Sequence, residues 1–370
     1  MIRVFQVAMN QPKAGQMVDD VLHSGYVGEG AYVKVFEHQF AELVGAREAP
    51  EPEPPVLAVN SCTSALSLAL HLIGVRDRVV ITTPMTCAAT NNAIVSQGGR
   101  IAWADVDGVT GLITVDSVAR RYYAARYHGQ KVAAIVAVDW GGRVCDYSRL
   151  KDSGLPVVQD AAHSLGASIG GDYTAWSCGP IKHLTCGGTG GVLLVPDEQR
   201  RRARLLRWHG LDRLSTDNFR CEQDILEAGF RYHMTDVEAS IGIANLEMIE
   251  SILERHRANA AYYHEALAEL PGVTLPPPDP SSAWWLYCLL IDRDRDGFMR
   301  FMAERGIETS RVHRRNDEHP AFRAACVNPD DRLPGVDYFD RHQVSIPVGW
   351  WLSRSERDRV AEAVRDWSRR

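Results

Sequence analysis

The sequence predicts an α/β protein: a large domain on a mostly parallel sheet flanked by helices, residues 1–245, and a smaller C-terminal α+β domain, residues 246–370. Three observations carry this. Between about residues 57 and 195, short β-rich runs alternate with helical stretches. Several of these runs are apolar almost throughout, as expected of strands covered on both faces. Beyond residue 195 the texture changes to long helical patterns and a proline-rich connector, and 370 residues suit one large domain with a smaller one attached.

Taken in order, "PVLAVN" is a strand leading into a helix from Ser64 to Ile73, with Leu66, Leu70 and Ile73 on one face. "RVVITTP" leads likewise into "AATNNAIVSQGG", and "RIAWADVD", "KVAAIVAVDWGG", "LPVVQDAAHS" and "GGVLLVP" supply further strands. The stretch "MTDVEASIGIANLEMIESILERHRANAAYYHEALAEL" is helical with a break or two and carries the chain out of the first domain. In "PGVTLPPPDPSSAWW" the prolines exclude regular helix and hold the backbone extended. A strand "WWLYCLLID", a helix near Gly297 to Arg305 and a final helix from Ser353 to Trp367 complete the smaller domain.

With 45% hydrophobic and 24% charged residues the chain reads as soluble and globular. Its net charge of -6 argues against a nucleic-acid or membrane-surface binder, which needs a basic face, and favours small polar ligands. The eight cysteines are scattered without a C-x-x-C pair and read as reduced thiols of a cytoplasmic protein. The start "MIRVFQVAMN" lacks the apolar core of a signal peptide, and no apolar run approaches the roughly 20 residues of a membrane span.

Lysine is rare: of 41 Lys and Arg residues only five are lysines, and Lys182 stands in a loop of small residues, "WSCGPIKHLTCGGTGGVLL". An amine that attacks a carbonyl must be partly deprotonated, which burial achieves, and small neighbours let a planar ring come close to the backbone. Upstream, Asp160 ends the strand of "PVVQDAAHS", at the sheet edge where ligands of parallel sheets collect; it is either a helix cap or a ligand group. In "AVNSCTSALSLAL" a strand runs into small hydroxyl residues and then a helix, so Thr63 and Ser64 either cap that helix or cradle a phosphate. Ser177 offers a further phosphate contact. Pyridoxal phosphate accounts for all three features, with Asp160 on the ring nitrogen, His163 near the 3-oxygen and Lys182 as the amine.

These residues, in this order, resemble the DegT/DnrJ/StrS-type sugar aminotransferases, pyridoxal-phosphate enzymes of aspartate aminotransferase fold type I. "SGYVGEGAYVKVFEHQF" is similar to the family's N-terminal segment, "NSCTSAL" to its phosphate loop, "MTCAATNNAI" with "WADVD" to its "T-F-x-A-T-x-N-A-I…D-V-D", and "QDAAHSLGA" to "E-D-A-A-Q-x-x-G-A". "SCGPIKHLTCGGTGG" resembles "S-F-x-P-x-K-N-L-T-x-G-E-G-G", which puts Lys182 on the Schiff-base lysine and Ser177 on the phosphate serine. The chain departs from the pattern at Cys87, where the family has an aromatic on the ring face, and at Arg231 of "GFRYHMTD", where an asparagine reaches the neighbouring subunit's cofactor phosphate. His163 replaces a glutamine, His183 an asparagine, and the glutamate of "G-E-G-G" is missing.

The resemblance implies transamination by a cytoplasmic homodimer with shared sites. L-glutamate or glutamine would be the donor and a nucleotide-linked 4-keto-6-deoxy hexose the acceptor; a keto-cyclitol is the alternative substrate. His183, His313 and Arg314 would contact substrate, with the arginines of "HRRND" near its diphosphate or simply solvated. A related group of dehydratases has histidine for the lysine, and Lys182 argues against that activity. A regulatory relative of the same fold is the reading from another class, and retention of Lys182 and Asp160 disfavours it. A nucleotide-binding dehydrogenase is disfavoured too, since "GGTGG" precedes a strand and not a helix.

Overall fold

A computed structural model describes residues 1–46, 54–213 and 222–370; Cys221 lies outside the described residues. The large sheet has seven strands: β1 (Val56–Val59), β2 (Val79–Thr82), β3 (Arg100–Trp103), β4 (Val132–Val138), β5 (Val157–Asp160), β6 (Tyr173–Ser177) and β7 (Gly191–Leu194). Their order is β1-β7-β6-β5-β4-β2-β3, and only β7 runs against the others. The apolar runs are explained by their surroundings: β1 and β2 are buried at every position because helices cover both faces.

Register sets the position of the site. Asp160 pairs with Val138 and with Ala175, while Gly191 at the start of β7 lies opposite Val59 on one side and Ser177 on the other. The carboxyl ends of β1, β5 and β6 therefore open on one edge of the sheet. A Cβ on Gly191 would lie 2.5 Å from the Cys62 nitrogen, so only glycine lets β7 begin against the helix that follows β1.

The small sheet is antiparallel, ordered β10-β9-β8, with β8 (Val273–Thr274), β9 (Tyr287–Ile291) and β10 (Gln343–Ile346). Phe298, Phe301 and Met302 from helix Arg295–Glu304 and Val360 and Val364 from helix Arg354–Ser368 pack with Tyr287, Leu289 and Ile291. Ile2 belongs to this core and bridges to Ile307, while Phe5 and Met17 pack against the large sheet. The long helical stretch divides at Glu247–Met248 into helices Asp236–Leu246 and Ile249–Ala266. The second of these joins the two cores, since its Ile249 and Leu253 pack with the large sheet and its Ala260 and Tyr263 with the small one.

Under β1 lies a buried ion-pair network. Glu37 accepts from the Ala58 N–H at 2.8 Å and from Arg207 at 2.6 Å, and Arg204 approaches at 3.3 Å. Arg207 also bonds Glu29, which Arg213 meets at 2.9 Å. Burial pushes the Glu37 carboxyl up, but Arg207 and Arg204 outweigh it and hold the group below its ordinary value of 4.5. Its contribution to stability is therefore present above the unfolded pKa and is lost as pH falls through the lower folded one. Glu37→Ala leaves two guanidinium groups short of a buried counter-charge and is expected to cost about 3 kcal/mol, read as a lower urea midpoint at pH 7. That loss should shrink below pH 4.

Candidate active site

The chain leaves β1 through Asn60 and Ser61 into helix Cys62–Ile73, which Ser61 caps by accepting the Ser64 N–H at 3.1 Å. The Ser64 hydroxyl donates to Asn60 Oδ1 at 2.6 Å, so its proton is committed locally. Thr63 sits in the first turn, among N–H groups that have no partner within the helix. Around this helix end opens a pocket of about 480 Å³, lined among others by Ser61, Ser64, Thr189, Arg231 and His233. Arg231 is exposed there, and its carbonyl is held by Asn60 Nδ2 at 3.2 Å. Ser177 ends β6, where its Oγ accepts the Gly179 N–H at 3.3 Å. An aligned helix end with hydroxyls and one arginine suits a dianion.

Asp160 closes β5 and is buried. Its Oδ2 accepts from Thr90 at 2.7 Å, its Oδ1 from the Ala162 N–H at 3.1 Å, and the Cys62 thiol stands 4.0 Å from Oδ1. Burial raises its pKa, while the Thr90 and Ala162 hydrogen bonds and the charge of Lys182 pull it back. Lys182 follows β6 in the loop before β7; burial lowers its amine from 10.5 to about 8, partly offset by the charges of Asp160 and the thiols of Cys62 and Cys87. Its Nζ lies 3.6 Å from the ring centre of Trp285.

His163 stacks on Trp285 with ring centres 3.9 Å apart and 28° between planes. Its Nδ1 accepts the Gly141 N–H at 3.3 Å, and burial together with nearby Lys182 keeps the ring neutral, so the proton sits on Nε2. His313 approaches from the small lobe, its ring nearly parallel to that of His163 at 5.7 Å and edge-on to Trp140 at 5.6 Å. Val312 before it has φ of 64°, which turns His313 inward while its neighbours face elsewhere. Asn316, buried, pins this loop by donating its N–H to Pro84 O at 2.9 Å and its amide to Cys87 O at 3.4 Å. The His313 Nε2 atom is buried and unpartnered among the described residues, and burial with the Lys182 charge brings its pKa down to about 4.

The remaining residues singled out from the sequence lie around and beyond this centre. Cys87 is exposed at the start of helix Ala88–Ser96. His183 is buried edge-on to His256 at 4.6 Å, its Nε2 unpartnered among the described residues. Arg314 is paired with Glu318 at 2.8 Å and lines a different pocket, of about 530 Å³, with Arg295, Arg311, Arg315 and Asp340. A larger cleft of about 1110 Å³ lies at the amino ends of β5 and β6, away from Lys182.

A model of the DegT/DnrJ/EryC1/StrS aminotransferase family matches residues 9–365. The chain belongs to this family. It is a pyridoxal-phosphate-dependent sugar aminotransferase of the fold-type I architecture. The sugar aminotransferase CalS13 from Micromonospora echinospora is 36% identical, with 99% of this chain and 100% of that one covered and a TM-score of 0.89. AtS13 from Actinomadura melliaura is 38% identical over 99% and 98% of the two chains, also at 0.89. DesI, solved in the presence of its TDP-sugar product, is 25% identical over 98% and 92%, at 0.82.

The aminotransferase's own residues fit its cofactor. A buried carboxylate whose charge burial disfavours suits a protonated ring nitrogen, the Nε2–H of His163 suits a phenolic oxygen, and a depressed amine suits carbonyl chemistry. Sequence reasoning missed Ser61, Thr90, Trp140, Trp285 and Asn316 as members of the site. Ser61 and Thr90 stand inside motifs already quoted, "NSCTSAL" and "MTCAATNNAI", and differ from their neighbours only in which way they point. The two tryptophans carry no local signal, because aromatics read first as core.

Proposed function

We propose that this sugar aminotransferase moves an amino group from L-glutamate or glutamine to a nucleotide-linked 4-keto-6-deoxy hexose. The product is an amino-deoxy sugar for a natural product or a surface polysaccharide, made in the cytoplasm by a homodimer. The observation that carries this reading is the orphaned Nε2 of His313 facing the Lys182 amine. A neutral imidazole exchanges hydrogen bonds with sugar hydroxyls, whereas a site for two amino-acid substrates needs fixed positive charge. DesI, with its TDP-sugar, supports a nucleotide-linked acceptor, as do the arginines flanking His313.

When bound, pyridoxal phosphate supplies an electron sink and carries the amino group between the two substrates. Asp160, its carboxylate fixed by the Thr90 hydroxyl, would hold the proton on the ring nitrogen. His163, its ring stacked on Trp285, would donate Nε2–H to the 3-oxygen. Thr63, Ser64 and Ser177 would meet the phosphate, and Arg231, exposed, would reach across the dimer to the phosphate of the partner's site. Cys87 would stand in for the ring-face aromatic, and His183 would contact substrate; Arg314 could do so only by leaving Glu318 and its own pocket. The Lys182 amine, neutral to a useful extent at pH 7–8, would take up and return the substrate's proton at Nζ.

The test is a panel of nucleotide-linked keto sugars and keto-cyclitols incubated with glutamate or glutamine, with mass detection of the amine. Conversion of a 4-keto-6-deoxy sugar nucleotide is expected. Conversion of cyclitols alone would replace this reading with the alternative one.

A further inference from the structure

Trp285 makes three separate contacts with the machinery around Lys182. Its ring lies under the Lys182 ammonium at 3.6 Å, its Nε1–H donates to the carbonyl of Ile181 at 2.9 Å, and its ring stacks on His163 at 3.9 Å. The residue is 3% exposed, and Phe5 stacks on it at 5.0 Å, so the indole is fixed on that side as well. Mere filling of space accounts for none of these as a set: one holds the backbone just before the lysine, one receives its terminal charge, and one orients the neighbouring imidazole. An aromatic face attracts a cation, and more so when water is excluded.

We propose that Trp285 is the positioning residue for Lys182, receiving the ammonium on its ring whenever the amine is not bonded to cofactor and so keeping it beside the reacting carbon. The inference rests on Lys182 being the cofactor-bearing lysine. The groups facing the amine are Asp160, Cys62, Cys87, His163, His183 and His313. Burial holds the three imidazoles neutral and pushes the Cys62 thiol up, so among the buried described residues facing the ammonium Asp160 is the one formal counter-charge. The ring supplies the remaining stabilisation of the cation, and removing it shifts the amine toward its neutral form.

The experiment uses the full-length protein saturated with pyridoxamine 5'-phosphate, which leaves the lysine amine free. Acetic anhydride labels free amines in proportion to their neutral fraction, and the Lys182 peptide is quantified by mass spectrometry across pH 6–10. Trp285→Leu is expected to lower the labelling midpoint by about half a unit to one and a half units, and Trp285→Phe by less. An unchanged or raised midpoint in Trp285→Leu overturns the proposal. Should that variant not fold, protein containing 5-fluorotryptophan keeps the indole shape while draining its face; a lowered midpoint is expected and an unmoved one is fatal. Borohydride reduction of the pyridoxal-phosphate-loaded wild type separates the two levels. Label on another lysine sinks the reading of Lys182 itself, whereas label on Lys182 with unmoved midpoints sinks only the role of Trp285.

Discussion

Lys182→Ala is expected to yield a folded protein whose transamination is slower by at least about a thousandfold, since both covalent attachment and proton transfer are lost together. Stability should not suffer. The folded state holds this ammonium less well than water does, because burial has moved its pKa from 10.5 to about 8. A lysine with a lowered folded pKa destabilises the fold at pH values below that pKa, and the penalty fades as pH rises toward 10.5. Deleting the amine at pH 7 therefore removes a cost, and the backbone bond from the Lys182 N–H to Gly179 O at 3.2 Å survives. The expected result is a melting temperature at or above the wild-type value combined with loss of turnover. In the wild type, the single-turnover rate of the proton-transfer step should rise with pH and level off above about 8. A variant that unfolds, or one that keeps substantial activity, would remove Lys182 from the centre of the site.

The large sheet was readable because its strands are buried on both faces and so write continuous apolar runs such as "VAAIVAV" of β4. Strand β6 was not anticipated: "YTAWS" mixes polar and apolar residues, and its strand character comes from pairing with β5 and β7 on either side. The reversed direction of β7 is likewise a property of topology, which no local pattern records. The break at Glu247–Met248 has neither glycine nor proline to mark it, and the docking of Ile2 beside Ile307 joins two ends of the chain. For the site, Lys182 and Asp160 were legible from rarity and from position at strand ends. The inward turn of His313 was harder, because it depends on a left-handed backbone at Val312, a β-branched residue that ordinarily avoids it. Trp285 and Asn316 come from distant sequence, and packing alone brings them to Lys182 and to the Pro84–Cys87 loop.

Asp160→Asn isolates charge from shape. The amide nearly superimposes on the carboxylate, so the question is whether its neighbours accept a donor in place of an acceptor. The Ala162 N–H needs an oxygen and keeps one. Thr90 now donates to Oδ2 at 2.7 Å, but its hydroxyl also lies 2.8 Å from Thr86 Oγ1, so it can turn its proton there and accept from the new amide. Folding is thus expected to be preserved, and neutral-pH stability should not fall, because burial makes the ionised carboxylate a cost to the protein alone. What the amide cannot do is hold a proton on a ring nitrogen. Losing one partner of such a buried charged pair costs about 3–5 kcal/mol, which corresponds to a rate lower by roughly two to three and a half orders of magnitude. The loss should fall on kcat more than on KM, since the charge matters most where electron density moves toward the ring. A large fall in stability without a fall in kcat would show Asp160 to be the helix cap that its sequence also permits.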